Sequence, residues 1–293
     1  MHTSIDINEY KQAIRLNQET NIEPVHDLYA AIISALKQMN ISVPADISET
    51  EALEKLHGTL ALIGPYQLTA GLMNQIEAIA VRVNSQRLLV DAKTLPFIRN
   101  IYTSTYPAQD RTSIWVGDIT QLKADAIVNA ANSYLLGCRL PNHACIDNVI
   151  HSAAGPRLRD DCATIIDKQG CKEPLGSAKI TRGYALPAKY VIHTVGPCLM
   201  PGHLPSIEQK QQLINAYCAC LNIAAEVDDI KTIAFCAIST GVFSYPKIDA
   251  AQLALTTVAD WLANHPKRFE KIIFNLYTQA DATIYEKLIY EWT

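Results

Sequence analysis

Apolar positions recur at helical spacing through roughly the first hundred residues and then break into short runs. In PVHDLYAAIISALKQMN, the residues Val25, Leu28, Ile32, Ala35, Leu36 and Met39 share one helical face, and Asn40 is a natural stop. SETEALEKLHGTLALIG pairs Ser48 with Glu51 as a capping box and sets Leu53, Leu56, Leu60 and Ile63 on one face. It ends at Gly64-Pro65. LMNQIEAIAVRVN predicts a third helix. His26 and His57 are isolated here, and a lone helical histidine reads as packing or surface.

Beyond Tyr106-Pro107 the pattern changes. SIWVG, DAIVN, AKITRGY, YVIHTV, TIAFCAI and KIIFNLY read as strands, and 145–163, 206–226, 249–263 and 279–290 read as helices. Strands alternating with helices predict a three-layer α/β/α fold with a mixed, mostly parallel sheet. The chain therefore divides into a helical N-terminal region, 1–105, and an α/β domain, 106–293. Ligands of such sheets bind beyond the carboxyl ends of the strands, which directs attention to the segments after DAIVN and TIAFCAI.

Composition narrows the function classes. Of 293 residues, 49% are hydrophobic and 18% charged, enough to bury a sizeable core, and the net charge of −4 offers no general grip on nucleic acid or anionic membrane. MHTSIDINEY lacks a basic stretch followed by an apolar run, and no uncharged apolar stretch is long enough for a bilayer, so the expected address is the cytoplasm. Eight cysteines occur, none before position 138. That uneven placement in a large chain suits reduced core residues better than a disulfide framework.

The strand ends carry polar side chains. Asp118 in GDIT can accept from an amino group or hydroxyl, or simply cap the turn. Asn129 and Asn132 suit neutral sugar hydroxyls, or form turns. Ser239, Thr240, Gly241, Val242 and Phe243 form a loop that can aim backbone N–H groups at a phosphate, without the pattern of a P-loop. Phe243 and Tyr245 can wall a sugar or pack on the sheet. Together these describe a pocket for a nucleotide-sugar.

GCRLPNHAC, at 137–145, sets Cys138, His143 and Cys145 within eight residues. Thiolate and imidazole are zinc donors, and two thiolates with a neutral imidazole balance the dication. Three ligands with an open fourth position suit a catalytic ion, whereas Cys171 or His151 would close the shell as a structural site. Idle thiols or a disulfide remain alternatives.

The segment from about 112 to 291 resembles the macrodomain family, the ADP-ribose-binding module. The likeness rests on GDIT (117–120), AIVNAANSYLLG (126–137), IDNVIHSAAG (146–155), GSAKITRGYALPAKYVIHTVGP (176–197) and STGVFSYP (239–246), in that order. Where hydrolytic members commonly have a glycine-rich loop, GCRLPNHAC stands instead, and this looks like the zinc-dependent subclass of protein-ADP-ribose hydrolases. The resemblance implies Asp118 and Ile119 at the adenine, Asn132 at the distal ribose and Ser239–Phe243 around the diphosphate. It implies one Zn²⁺ on Cys138, His143 and Cys145, with Asp147 as a catalytic carboxylate; by itself, Asp147 reads equally as an acid at a helix start. The implied activity is removal of mono-ADP-ribose from Asp or Glu side chains, with a lipoyl-carrier protein modified by a linked sirtuin among the implied partners. A binding module without turnover, and a hydrolase of O-acetyl-ADP-ribose, share the same pocket.

Overall fold

The computed structural model describes residues 4–19 and 21–292. Its first elements are helical. A short helix α1 (Ile7–Tyr10) starts from a capping box between Asp6 and Glu9. It precedes α2 (Leu28–Gln38), α3 (Glu49–Leu62) and α4 (Ala70–Ser85). Asp27, Ser48 and Thr69 supply the N-caps of these three, and Ser48 with Glu51 completes the expected capping box. Asn40 takes a left-handed φ of 60° just past α2, as a helix stop requires. The apolar faces of α2, α3 and α4 meet in a core of their own, built on Leu28, Ile32, Leu36, Leu56, Leu60, Leu72, Ile76 and Ile79.

The later elements are β1 (Val90–Asp91), β2 (Thr112–Val116), β3 (Leu122–Lys123), β4 (Ala126–Ala130), α5 (Ile146–Ala154), α6 (Pro156–Gln169), β5 (Ala178–Arg182), β6 (Tyr190–Thr194), α7 (Ile207–Ala225), β7 (Thr232–Phe235), α8 (Lys247–Asn264), β8 (Lys271–Leu276) and α9 (Gln279–Tyr290). Six strands form one sheet in the order β2-β8-β7-β4-β6-β5. All neighbours run parallel except β5, which is antiparallel to β6. This is the mixed, mostly parallel sheet expected from the sequence, and the sequence strands fall within one to three residues of the observed ones, TIAFCAI ending early at Phe235. The interior strands are buried along their length except at Ala130, the last residue of β4, as helices on both sides of a parallel sheet demand. Helices α7, α8 and α9 pack side by side as one group, while α5 and α6 form a second group on which α3 and α4 rest.

Two features differ from the sequence expectation. The helix expected over 145–163 is two helices. Gly155, at φ 93°, breaks it, and Pro156 opens α6. A Cβ on Gly155 would come within 2.8 Å of the Glu77 side chain of α4, so the break sits where the N-terminal helices pack. The sequence also gave no sign that the chain's start would join the sheet: Ile7, Tyr10, Ile14 and Leu16 belong to the main core. The Tyr10 hydroxyl accepts from Ile180 N–H at 2.9 Å, occupying a backbone donor of the edge strand β5. Among the described residues, no helix is long and apolar enough to cross a membrane.

Candidate active site

Strand β4 ends at Ala130, and the chain leaves the sheet carrying two asparagines. Asn129 is still in the strand, wholly buried between β6 and β7. Its amide donates to Asp147 Oδ1 at 2.8 Å and lies 3.2 Å from His193 Nδ1. Asn129, expected at a sugar, has no exposed surface and grips Asp147, while among the described residues its Oδ1 finds no hydrogen-bond partner. Asn132 lies beyond the strand and is half-buried. Its Oδ1 accepts from Tyr134 N–H at 3.0 Å, and its Nδ2 donates to Gly137 O at 3.1 Å and Asp147 Oδ2 at 3.2 Å. One amide thus shapes the turn, anchors the start of the cysteine loop and holds the carboxylate.

Asp147 sits in the first turn of α5, where the N-terminal end of the helix favours negative charge. Burial nevertheless pushes its carboxyl up to about 6, against the opposing pull of Asn129, Arg159 and Asn132. A carboxyl held in that range is suited to exchanging a proton near neutral pH. Asn148, next on the helix, donates to His143 O at 3.0 Å and fixes the backbone at the histidine of the loop.

The loop itself brings Cys138, His143 and Cys145 together. Cys138 Sγ lies 3.3 Å from His143 Nδ1, the three ligand atoms are all within 4.8 Å of one another, and each residue is half-buried. Bonds of about 2.1 to 2.3 Å to a tetrahedral zinc call for spacings of this order, and the donors are of the right kind. All eight cysteines are free, so Cys138 and Cys145 are not joined. Burial raises the Cys145 thiol to about 11, with Cys138 adding to the rise, whereas metal binding draws the protons from such thiols. Neither candidate for a closing fourth ligand joins this set. His151 groups instead with Cys162 and His193, all buried, and Cys171 joins neither cluster.

That second cluster lies under Asp147. His151 Nε2 is 3.6 Å from Asp147 Oδ1, and among the described residues neither of its ring nitrogens has a hydrogen-bond partner. Its ring packs on Gly137, where an added Cβ would come within 3.0 Å and where φ is 78°. His193 Nε2 lies 2.9 Å from Thr181 Oγ1; since Nδ1 faces the donor Asn129, Nε2 carries the proton.

At the end of β7 the loop through Ser239 reverses sharply, with Ser239 at φ 66° and Ser244 at φ 55°. Thr240, Ser244 and Tyr245 donate their N–H groups to Ala237, Gly241 and Ser239. Among the described residues, the N–H groups of Gly241, Val242 and Phe243 donate to no protein acceptor, leaving adjacent amides free for an anion. Val242 is exposed and Phe243 half-buried. Tyr245 belongs to the main core, and among the described residues its hydroxyl has no partner.

At the far end, Asp118 Oδ1 accepts from Thr120 N–H at 2.9 Å, and Oδ2 is paired with Arg87 just beyond α4. Ile119 is buried in the core. Sequence reasoning missed Arg87, Asn148, Arg159 and His193, and named His151 only as a possible fourth metal ligand. Arg159 carried a usable signal, being a charge among the buried positions Leu158, Cys162 and Ile165 of α6.

Residues 128–254 match the family model described as Macro domain. A protein from Treponema medium named protein-ADP-ribose hydrolase is 52% identical over 176 residues, 60% of this chain and 66% of the relative. One of the same name from Staphylococcus aureus (strain MSSA476) is 49% identical over 179 residues, 61% and 66% of the two chains. The matched stretch thus spans just under two thirds of these relatives. A macrodomain structure of Oceanobacillus iheyensis with ADP is 35% identical, with a TM-score of 0.53 over 61% of this chain and 90% of its own. The Trypanosoma brucei macrodomain in complex with ADP-ribose is 27% identical, with a TM-score of 0.60 over 79% and 94%. Matched by the Macro domain model over 128–254 and across 90% of a macrodomain structure at 35% identity, the chain belongs to the macrodomain family.

Proposed function

We propose that the chain is a hydrolase that releases mono-ADP-ribose from Asp- or Glu-linked protein, with one Zn²⁺ held by Cys138, His143 and Cys145. The observation that carries this reading is the Asn132 amide, which joins the start of the cysteine loop, through Gly137 O, to the Asp147 carboxylate. A ligand set and a titratable acid tied to one side chain make a reaction centre rather than a remote staple. The hydrolase names of relatives near 50% identity support the same reading.

Asp118 accepts from the adenine amino group, and the amides of Gly241, Val242 and Phe243 take the diphosphate. Asn132 orients the distal ribose. Asp147 positions a water and accepts its proton, held in place by Asn129 and Asn132. When bound, zinc supplies Lewis acidity toward a ribose oxygen or water. The eight free thiols suit a reducing compartment such as the cytoplasm.

The reading is tested by incubating the purified chain with acid-linked mono-ADP-ribosylated proteins, a modified lipoyl-carrier protein among them, before and after chelation. Release that stops on chelation and returns with Zn²⁺ is expected. Tight ADP-ribose binding without release would make the chain a binding module. Turnover confined to O-acetyl-ADP-ribose would make it a small-ester hydrolase.

A further inference from the structure

The ligand loop has no regular structure of its own, yet its outer side rests on helix α3 of the N-terminal region. Gly58 of α3 faces it directly: a Cβ there would lie 3.3 Å from the Asn142 side chain and 3.5 Å from Pro141 Cβ, both between Cys138 and His143. The last carbonyls of a helix lack partners within it. Here Arg159 Nη1 donates to Leu60 O at 2.5 Å and Ile63 O at 2.9 Å, and Arg139 Nη2 donates to Leu62 O at 2.6 Å. Two cations thus complete the negative end of α3. Arg159 Nε donates in turn to Leu136 O at 2.9 Å, one residue before the loop. Arg159 is buried on α6, so its planar fork fixes three carbonyls from two separate segments at once. Arg139 lies inside the loop, next to Cys138.

We infer that Arg159 and the Gly58 face of α3 are the outer frame of the Cys138–His143–Cys145 loop, with Arg159 a positioning residue for the ligand set. The inference deepens the hydrolase reading and rests on its assignment of those ligands. It gives the helical N-terminal region a part in building the reaction centre. The inner supports are Asn132 at Gly137 and Asn148 at His143. The outer supports are Arg159 at Leu136, Arg139 at Leu62 and the Gly58 contact.

The test uses the full chain with two changes from opposite sides of the joint, Arg159→Lys and Gly58→Leu. Lysine keeps the charge and loses the fork, while leucine wedges Pro141 and Asn142 outward. Amide hydrogen exchange on metal-free protein reads the frame without any turnover. Exchange over 138–145 is expected to quicken by about tenfold in each variant while β4 and β6 stay protected. Zn²⁺ affinity, from competition with a chromogenic chelator, is expected to fall by about tenfold or more, as for other outer partners of metal ligands. If Arg159→Lys fails to fold, Gly58→Leu alone decides. Loop exchange and Zn²⁺ affinity both within about twofold of the parent would overturn the inference. A parent chain that binds Zn²⁺ but releases no ADP-ribose would sink the hydrolase reading instead, leaving the frame to the exchange data.

Discussion

The side-chain amide of Asn129 donates to Asp147 Oδ1 at 2.8 Å from a position with no solvent exposure. Removing that donor leaves a buried carboxylate one partner short. Asn129→Ala is therefore expected to lower stability by about 1 to 3 kcal/mol. Urea unfolding measures the loss, and a variant as stable as the parent would show that the bond contributes nothing.

Asp147→Asn keeps the shape and hydrogen-bonding reach of the side chain but removes its proton acceptor. ADP-ribose release should slow by about 10² to 10⁴-fold while ADP-ribose affinity changes little. Single-turnover release and calorimetric titration separate the two effects. An unchanged rate would remove Asp147 from the chemistry.

Gly196 tests the anion loop from beneath. A Cβ at this position would fall 2.1 Å from Ser239 Oγ and 2.8 Å from Ile238 Cγ2. Gly196→Ala should therefore displace Ser239 and spoil the amide array at Gly241–Phe243. Calorimetry should show ADP-ribose binding weakened by about tenfold, because the diphosphate loses aligned N–H donors. Unaltered affinity would place the diphosphate elsewhere.

His193 links stability to pH. It is packed against Asn129, Thr181 and Cys162, with the His151 ring 6.0 Å away, and burial pushes it down to about 3. The unfolded chain binds this proton near pH 6.5 whereas the folded one resists to about 3. Its contribution is thus full above about pH 6.5 and lost as pH falls below it, by roughly 2 kcal/mol at pH 5. Denaturant unfolding between pH 7 and 5 measures the slope, and His193→Gln should flatten it by nearly one proton. An identical slope would contradict a neutral buried His193.

What the sequence disclosed depended on how local each cause was. The Ser48–Glu51 box, the stop at Asn40 and the six strands are set by neighbours within a few residues, so spacing revealed them. The break at Gly155-Pro156 was as legible as the stop at Gly64-Pro65 and was passed over; only its packing on Glu77, from another helix, lay beyond the sequence. Residue type marked Cys138, His143 and Cys145 as a set, and the structure does gather them. Asn129 read as a sugar partner from its place at a strand end, and its bond to Asp147 on α5 could not be seen in the sequence because the two meet only in the fold. Arg159 could be flagged as a charge on an apolar face, but its three carbonyl partners could not, because they come from segments distant in the chain.

The most direct test of the account is ADP-ribose release by Cys138→Ala, with zinc content measured on the same preparation. The account predicts a folded protein that has lost its zinc, still binds ADP-ribose through the 239–243 loop and no longer cleaves the linkage. Full turnover by zinc-free Cys138→Ala would contradict it.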